Sequence, residues 1–559
     1  MESKRKQNGK GYGADLTLWP TLLKKLLALF GGNMPMKRRC TALASAVAIL
    51  SALTLALWSS ILVAENTPAD EVSSINPIVH NCNPALPRTD LANNPGEATP
   101  ALLTRDLPCD RVFQPKGPFD LPGLQHDFDF YSWLTFIALN SPEGVGAIGE
   151  GDARTEWETY RQLPDVMRPK GVPPTDWDSK NNALFPDACQ ALKGDGKKIV
   201  IHLGEEETFS QPFNTGPLID QSGHYAMFII MMNKPMFEYI QKNKLYSVEG
   251  QRNFKAGAEA IRGSLRKDKD PNPPIEPGLD PVSSKDAIIN FPNGANVLDK
   301  DGKSTTEGTV GSIMLKGSWK VLDEERGDDP KRFHVVRALV YTKTSADGRQ
   351  AAKCVERKLG LVGFHIVHKT VNAHQWIWST FEHIDNVPSG EDIASGNLRF
   401  KYSFFDILCK SCRVNHTPEK PWSPEAQKSS DGMTFRNGYK SQITRVVPVT
   451  PDVQRMNAAF QGELAKKKSV FANYMLVSTQ WPTLRPCNQF ANTRNMADPT
   501  CAPAPTFLAN TTLETYSQGI TPISSSSCIA CHGNATGQAI PASPSDFTFI
   551  LEKAKKERP

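Results

Sequence analysis

The sequence predicts an α+β fold: a large β-rich body built on an antiparallel sheet, followed by a helical C-terminal region. Four β-rich runs follow one another between residues 312 and 385, and helical spacing of apolar residues returns after residue 450. The 43 proline and 39 glycine residues favour a loop-rich chain over a helix bundle. Hydrophobic residues make up 39% of the 559 residues, which is enough for a packed core and excludes a disordered chain.

The composition divides the chain into four regions, and the length fits two or three domains or one large one. Residues 1–64 form an N-terminal extension with a signal peptide or membrane anchor, and residues 65–125 an extended lead-in rich in proline and asparagine. Residues 126–449 form the α+β body, which contains a Pro/Asp-rich loop at 266–286. Residues 450–559 form the helical C-terminal region.

The N-terminal region predicts export. Residues 41–64 are an uncharged apolar run of 24 residues that follows the basic segment 37–39. This order is typical of a signal peptide, and 24 residues also suffice to cross a bilayer. Cleavage after Ala56 or Ala64 and retention as an uncleaved inner-membrane anchor both remain open. Either alternative places the bulk of the chain in the periplasm.

In the body, we expect a helix over residues 128–140 that starts near Asp127 or Asp129, and strands at 196–203 and 224–233. The β-rich runs that follow predict four antiparallel strands. These runs are 312–322, 334–343, 359–370 and 375–385.

Two helices are predicted in the C-terminal region. Thr450 can cap the first, with Pro451 at its first position and apolar residues at helical spacing behind it. Ser545 or Asp546 can cap the second. The apolar residues are Val453, Met456 and Phe460 in the first helix, and Phe547, Ile550, Leu551 and Ala554 in the second.

The balance of charges argues against a nucleic-acid-binding protein. The chain has 64 Lys and Arg residues against 59 Asp and Glu, a net charge of +5 that is spread along the sequence. We therefore expect no nucleic acid among its partners.

The cysteines fit an oxidising compartment. Of the eleven, Cys40 precedes the apolar run and two belong to a motif near the carboxyl end; the other eight form an even set, as disulfides require. Spacing does not fix the pairing, and Cys82 with Cys109 and Cys487 with Cys501 are the local pairs we expect. The even set is Cys82, Cys109, Cys189, Cys354, Cys409, Cys412, Cys487 and Cys501.

The segment 528–532 reads C-x-x-C-H, a pattern in which residue types and spacing indicate haem attachment. On one helical turn, residues i and i+3 lie on the same face, so Cys528 and Cys531 can form thioethers to the two vinyl groups of one haem. The next residue, His532, then presents a neutral imidazole to the iron as the proximal ligand.

Ser527, or one of its neighbours within Ser524–Ser527, can cap this turn, and Gly533 can end it. A zinc knuckle or a thioredoxin-type dithiol shares part of the pattern, but both are cytosolic sites and fit an exported protein poorly. The segment resembles the attachment motif of c-type cytochromes, over these five residues alone. The resemblance implies one covalent haem c, held by Cys528, Cys531 and His532, with His532 as the metal ligand.

The chain departs from small cytochrome c domains at the sixth iron ligand. Those domains continue from the motif for many tens of residues to a distal Met, whereas 27 residues follow His532 here and none is Met or His. We expect the haem to pack against the body, with the sixth ligand supplied by an upstream residue or the position left open.

The longer chain also resembles a group of exported bacterial proteins that end in a single C-x-x-C-H motif. The likeness runs over residues 125–559 and implies a monohaem c-type architecture, with no particular substrate. The segments that carry it are Ser132–Asn140, Gly216–Gly223, Gly311–Leu322, Gly363–Thr370, Trp376–Pro388 and Asn510–Tyr516.

Histidines between 365 and 383 are candidates for the distal side. On a strand, His365 and His368 point to opposite faces and cannot act as a pair, because the side-chain period is two. His383 is the best single candidate for a distal ligand or proton-handling group. Trp376 and Trp378 share a face and could wall a haem. The alternative is an aromatic core stripe with hydrogen-bonded histidines. His374 also belongs to this group.

Three methionines could supply a thioether ligand, which would raise the reduction potential. They are Met456, Met475 and Met496, and Met475 is the first choice among them. The alternative for each is core filling.

The segment 409–412 reads C-x-x-C but is followed by Arg413, so it is not a second attachment site. We expect a structural disulfide between Cys409 and Cys412. The alternatives are a zinc site completed by His416 and a redox-active dithiol.

These observations predict an exported monohaem c-type protein that transfers electrons, with a redox partner protein. The alternatives are a haem enzyme of the peroxidase or oxygenase kind with an open distal iron site, and a haem-based sensor or binding protein. Whether the chain is an enzyme stays open, and catalytic residues are unassigned. The size of the body favours more than simple electron shuttling.

Overall fold

An eight-stranded sheet organises the part of the chain that the computed structural model describes. Those residues belong to one unit, Asn76–Pro559. They are 102–108, 121–142, 148, 154–179, 186–192, 199–203, 212, 215–254, 289–293, 310–342, 351–370, 373–399, 401–420, 438–482, 503–518, 527–539 and 544–557.

The strands and helices are labelled here in chain order. The strands are β1 (Arg161–Gln162), β2 (Ile199–Leu203), β3 (Met227–Met232), β4 (Ile313–Val321), β5 (Val335–Thr342), β6 (Lys353–Thr370), β7 (Ala373–His383) and β8 (Tyr474–Gln480). The α-helices are α1 (Leu121–Asn140), α2 (Leu163–Val166), α3 (Lys234–Lys242), α4 (Val248–Arg252), α5 (Gly390–Ser395), α6 (Pro451–Lys466) and α7 (Cys528–His532). Short 3₁₀ helices lie at Glu156–Thr159, Pro169–Gly171, Asp187–Leu192, Glu324–Arg326, Pro330–Arg332, Val470–Asn473 and Phe549–Lys553.

The long strand β6 is the centre of the sheet. It pairs with β4 along one edge; along the other edge, β5 pairs with residues 353–360 and β7 with residues 363–370. The sheet continues from β4 through β3 to β1, from β7 to β8, and from β5 to β2. The pair β2–β5 is parallel and the others are antiparallel. The predicted α+β class is therefore confirmed, as are the four antiparallel strands β4 to β7.

The two faces of the sheet are covered by different parts of the chain. Leu315, Ile366 and Phe381 face a core formed with α1 and α6. Their neighbours in sequence point the other way because side chains alternate along a strand. On that second face, Met314 and Val367 pack with segments from the C-terminal region. We call this second side the motif face, because α7 lies on it.

Two helix predictions need correction. The first helix begins at Leu121, not near Asp127 or Asp129. Pro122 lies in its first turn, where the missing N–H costs nothing, and Gln125 Nε2 donates to Thr479 O of β8 (2.9 Å), so the added turn docks on the sheet.

The predicted second C-terminal helix is wrong. In its place lies the 3₁₀ helix Phe549–Lys553, capped by Thr548 rather than by Ser545 or Asp546. Asp546 and Phe547 have φ of 54° and 61°, a left-handed conformation that a right-handed helix cannot contain. The apolar residues assigned to it are nevertheless buried. The region 450–559 also includes strand β8, so it is not wholly helical.

The helix at Pro451–Lys466 is confirmed, with Thr450 as its N-cap: Thr450 Oγ1 accepts a hydrogen bond from Val453 N (3.4 Å). Residues 41–64, 266–286 and the pairs Cys82–Cys109 and Cys487–Cys501 lie outside the described residues. Among the described helices, none combines the length and apolar character needed to cross a membrane.

Candidate functional site

The C-x-x-C-H residues form α7, a helix of one turn and a half. Ser527 is its N-cap, and Ser527 Oγ accepts a hydrogen bond from Ala530 N (3.3 Å), as predicted. Gly533 follows the helix with φ −58° and ψ −19°. The helix therefore ends at the predicted glycine without the left-handed conformation for which glycine is usually required.

Gln480 at the end of β8 anchors the start of α7 to the sheet. Its Oε1 accepts hydrogen bonds from Ile529 N (2.8 Å) and Ser527 Oγ (3.2 Å). Ile529 is buried in the apolar cluster of the motif face, which also contains Trp376 and Trp378. The two tryptophans expected to wall the site are thus buried in the cluster that receives α7, and Trp378 contacts the ring of His532.

The thiols of Cys528 and Cys531 are free and partly exposed. Burial, together with the negative charge of Glu514, raises the pKa of Cys528 well above its usual value and that of Cys531 to about 12. Both groups are therefore neutral thiols at pH 7, three residues apart on one turn. This is the form in which a thiol can add across a vinyl group.

The imidazole of His532 is held in one tautomer. Its Nδ1 lies 2.9 Å from the carbonyl oxygen of Phe547, and a carbonyl can only accept, so Nδ1 carries the hydrogen. Burial lowers the pKa of His532 to about 4 and outweighs the opposing effect of that hydrogen bond. The ring is thus neutral at pH 7, with the lone pair on Nε2. Trp378 and Phe549 flank it at ring-centroid distances of 4.4 and 4.9 Å.

The segment that supplies the Phe547 carbonyl is fixed by a buried ion pair. Lys369 and Asp546 are fully buried and bonded to each other. Asp546 Oδ2 also accepts from Phe291 N (2.7 Å), and the carbonyl of Asp546 accepts from Trp376 Nε1 (3.0 Å). Burial raises the pKa of Asp546 to about 6, against the opposing effect of Lys369.

Three charged or titratable residues on the motif face lie near α7. His365 Nε2 lies 3.3 Å from Glu514 Oε2, and Lys316 is the direct cross-strand neighbour of His365. Burial alone would raise the pKa of Glu514, but His365, Lys316 and the amide of Asn510 lower it below its usual value. A carboxylate is therefore maintained beside the two thiols of α7.

The loop that carries Glu514 is docked tightly on the sheet. A Cβ on Gly363 would lie 2.1 Å from Thr512 Oγ1, so only glycine allows this approach. Asn510 Nδ2 donates to Phe381 O (2.9 Å). Thr511 N donates to the buried carboxylate of Glu382 (2.7 Å), which is paired with Arg445 Nη2 (2.7 Å).

His383, the predicted distal candidate, lies elsewhere. Both of its ring nitrogens have partners: Nε2 is 2.9 Å from Arg332 O and Nδ1 accepts from Asp385 N (3.1 Å). It lies five residues along β7 from Trp378, about 17 Å at the rise of a strand. Burial lowers its pKa to about 4. The assignment of His383 to the distal side is therefore wrong, and a hydrogen-bonded core histidine is what the structure contains.

Of the methionine candidates, the two within the described residues lie away from α7. Met475 lies opposite Glu382 in the β7–β8 register, four residues along β7 from Trp378. Met456 is buried in the core beneath α6, on the other side of the sheet, which confirms the core-filling alternative. Met496 lies outside the described residues.

The remaining histidines of the predicted group divide as expected. His368 Nδ1 lies 2.5 Å from Tyr131 Oη of α1, whereas His365 faces Glu514 on the motif face. The two histidines therefore point to opposite faces, as the strand period predicted. The side chain of His374 lies outside the described part of the structure.

Two disulfides lie within the described residues. Cys409 and Cys412 are bonded to each other, which confirms the structural disulfide and disfavours the zinc site with His416. Cys189 and Cys354, which no local rule paired, are joined across 165 residues.

Sequence reasoning missed Lys316, Glu514, Lys369 and Gln480. Lys316 offered a signal, because it is one of two lysines within a largely apolar strand. Lys369 and Gln480 are distant in sequence from the motif, and strands β6 and β8 bring them to its surroundings, whereas Glu514 lies on a loop that docks on the sheet.

The donor set fits a covalent haem c: two free thiols at the required spacing, and an adjoining imidazole whose Nε2 is free to ligate because Nδ1 is engaged. Within the described ranges, no cluster of three or more His, Cys, Asp or Glu side chains is arranged to hold a bare metal ion. No protein family, curated protein or solved structure matches the chain.

Proposed function

We propose that the protein is an exported monohaem c-type cytochrome that transfers electrons through a covalently attached haem. The observation that carries the proposal is the hydrogen bond from His532 Nδ1 to Phe547 O. It fixes the tautomer and the orientation of the imidazole that follows the two free thiols. A histidine that ligates a metal normally has its second nitrogen held in this way.

Cys528 and Cys531 would hold the haem, and His532 would ligate its iron. Bound there, haem c supplies a reversible ferric–ferrous couple. The residues of this chain set the surroundings: Trp378 and Phe549 restrict the imidazole ring and exclude water, and the carboxylate of Glu514 adds negative charge nearby. Negative charge stabilises the ferric state and so lowers the reduction potential.

The disulfides Cys189–Cys354 and Cys409–Cys412 support a periplasmic location, because disulfides persist in oxidising compartments. A c-type electron carrier needs a protein that supplies or accepts its electrons. We therefore propose a redox partner protein and no nucleic acid.

The test is expression in a host that matures c-type cytochromes, followed by the mass and absorption spectrum of the purified protein. We expect the mass of one added haem and the spectrum of a haem with two thioether bonds. The double variant Cys528→Ala, Cys531→Ala should lose both. The matched control, Cys409→Ala with Cys412→Ala, removes a pair of identical spacing and should keep the haem. A colourless wild-type protein without added mass would refute the proposal.

A haem enzyme is the second candidate, favoured by the polar group His365, Lys316 and Glu514 near α7. Buried acid–base side chains beside an iron are what proton transfer to a bound substrate requires. Cyanide and carbon monoxide separate the two candidates. Rapid binding of either ligand to the native protein supports the enzyme, and a closed six-coordinate spectrum that resists both supports the electron carrier.

A further inference from the structure

We propose that Lys369 and Asp546 are positioning residues for the proximal ligand: their ion pair holds the carbonyl of Phe547 where it accepts the Nδ1 hydrogen of His532. The inference rests on the proposed haem and adds to it two residues that lie outside the C-x-x-C-H motif. Neither residue touches the motif directly, so their effect passes through the backbone of residues 546 and 547.

Asp546 is tied to the body of the protein at both its side chain and its main chain. Its Oδ2 accepts from Lys369 Nζ on β6 and from Phe291 N, and its carbonyl accepts from Trp376 Nε1 on β7. Lys369 Nζ donates in addition to Asn290 Oδ1 (2.6 Å). Two strands and one loop therefore converge on this single residue, which immediately precedes Phe547.

The backbone at this point adopts a conformation that it would not adopt alone. Asp546 and Phe547 are successive L-residues with φ of 54° and 61°, and Trp376, which bonds to Asp546, has φ of 67°. Each such residue is strained relative to its right-handed form. Such conformations persist when the surrounding contacts over-determine them. The ion pair and its two backbone bonds are those contacts.

The direction of the Phe547 carbonyl depends on this conformation. Relaxation of residues 546 and 547 to right-handed angles would rotate the peptide group and turn its oxygen away from His532. The imidazole would then lose the bond that fixes its tautomer. A hydrogen-bonded imidazole donates more strongly to a metal, and stronger donation favours ferric over ferrous iron.

The experiment uses the mature haem protein and compares two buried ion pairs. Lys369→Met and Asp546→Asn remove the proposed positioning pair. Lys320→Met is the matched control, because Lys320 is equally buried and paired with Asp328 (2.8 Å) in a different part of the motif face. Lys369→Arg keeps the charge and is the conservative rescue. The readouts are the midpoint potential and the NMR signal of the His532 ring N–H.

We expect Lys369→Met and Asp546→Asn to raise the potential by about 60 mV, which corresponds to a tenfold weaker preference for ferric iron in a one-electron couple. The ring N–H should exchange faster in both variants. Lys320→Met should lower thermal stability without changing either readout, and Lys369→Arg should stay near the wild type. Unchanged potential and exchange in Lys369→Met and Asp546→Asn, or an equal shift in Lys320→Met, would overturn the inference.

Failure of this inference can be distinguished from failure of the proposed function. A wild-type protein without haem refutes the proposed function, and the same variants are then read in the haem-free protein. There, ¹⁵N NMR reports which nitrogen of His532 carries the hydrogen. Loss of the Nδ1–H tautomer in Lys369→Met and Asp546→Asn, with Lys320→Met unchanged, supports the positioning role. An unchanged tautomer in both variants refutes it.

Discussion

Burial of the Asp129 carboxyl predicts how strongly the stability of the protein depends on pH. Asp129 lies on α1, where it is fully buried against β8. Burial raises its pKa from 3.8 to about 7, although Gln125 Nε2 and Thr479 donate hydrogen bonds that oppose the shift. The folded protein therefore keeps a proton on Asp129 between pH 4 and pH 7, where the unfolded chain has already released it.

The sign follows from this difference in bound protons. A group whose pKa is raised by folding stabilises the folded state below its unfolded pKa, and this contribution is lost as the pH rises through the folded value. At 1.36 kcal/mol for each pKa unit, release of the proton from Asp129 lowers the free energy of unfolding by about 4 kcal/mol between pH 4 and pH 8. Asp129→Asn is neutral throughout and should abolish this loss.

The assay is urea unfolding of the wild type and of Asp129→Asn at pH 5 and pH 8. We expect nearly equal stability at pH 5, and an advantage of about 3 kcal/mol for the variant at pH 8, since about two pKa units separate pH 5 from the folded pKa of about 7. Asp452→Asn is the matched control: Asp452 pairs with His126 of α1 at the same interface, but its side chain is 37% exposed. Equal stability of wild type and Asp129→Asn at both pH values would refute the reasoning.

Two further predictions concern covalent and ionic links. Replacing Cys189 and Cys354 by alanine should lower the free energy of unfolding by about 5 kcal/mol in the loop-entropy relation, against about 2 kcal/mol for Cys409 and Cys412, because the first pair closes a far longer loop. Chemical unfolding of the two double variants tests this order. A larger loss of stability for the Cys409 and Cys412 variant would contradict it. Arg445→Met leaves the carboxylate of Glu382 buried without its cation and should cost about 3–5 kcal/mol. Thermal unfolding measures the cost, and an unchanged transition would show that Arg445 is dispensable.

Periodicity predicted the central strands well because it reports directly which face of a strand is buried. The strands β4 to β7 alternate or continue as apolar runs, and their flanks carry turn residues, so local pattern and tertiary environment agree. The same reasoning placed His365 and His368 on opposite faces, and the structure confirms it. The strand at Ile199–Leu203 was also expected, but its parallel pairing with β5 was not.

The C-terminal helix failed because tertiary contacts override the local pattern there. Phe547, Ile550, Leu551 and Ala554 do occupy one buried side, as the spacing requires. The hydrogen bonds and the ion pair of Asp546, however, hold the backbone in a left-handed conformation, which the spacing of apolar residues cannot predict. The pairing of Asp546 with Lys369 of β6 depends on how the sheet is assembled, and the local sequence does not predict it.

For the candidate site, the motif predicted its own residues and little of their surroundings. Ser527, Gly533 and the two thiols lie as expected, since they depend on one helical turn. His383 was chosen for its acidic neighbours in sequence, but Glu382 points to the opposite face of the strand. Asp385 does lie beside it, with Oδ2 3.9 Å from Nδ1, yet both ring nitrogens are used by backbone groups. Register, rather than proximity in sequence, decides which histidine approaches α7.

Two buried ion pairs on the motif face have a common physical role. Such pairs contribute little net stability, because the cost of removing both charges from water offsets their attraction. Yet Glu382–Arg445 fixes the loop that delivers Glu514, and Lys369–Asp546 fixes the loop that delivers the Phe547 carbonyl. Both loops lack regular strands or long helices, so backbone hydrogen bonds alone leave their orientation undetermined. A buried charge must keep its partner close by, and each pair therefore restricts where its loop, and the group that the loop carries to α7, can lie.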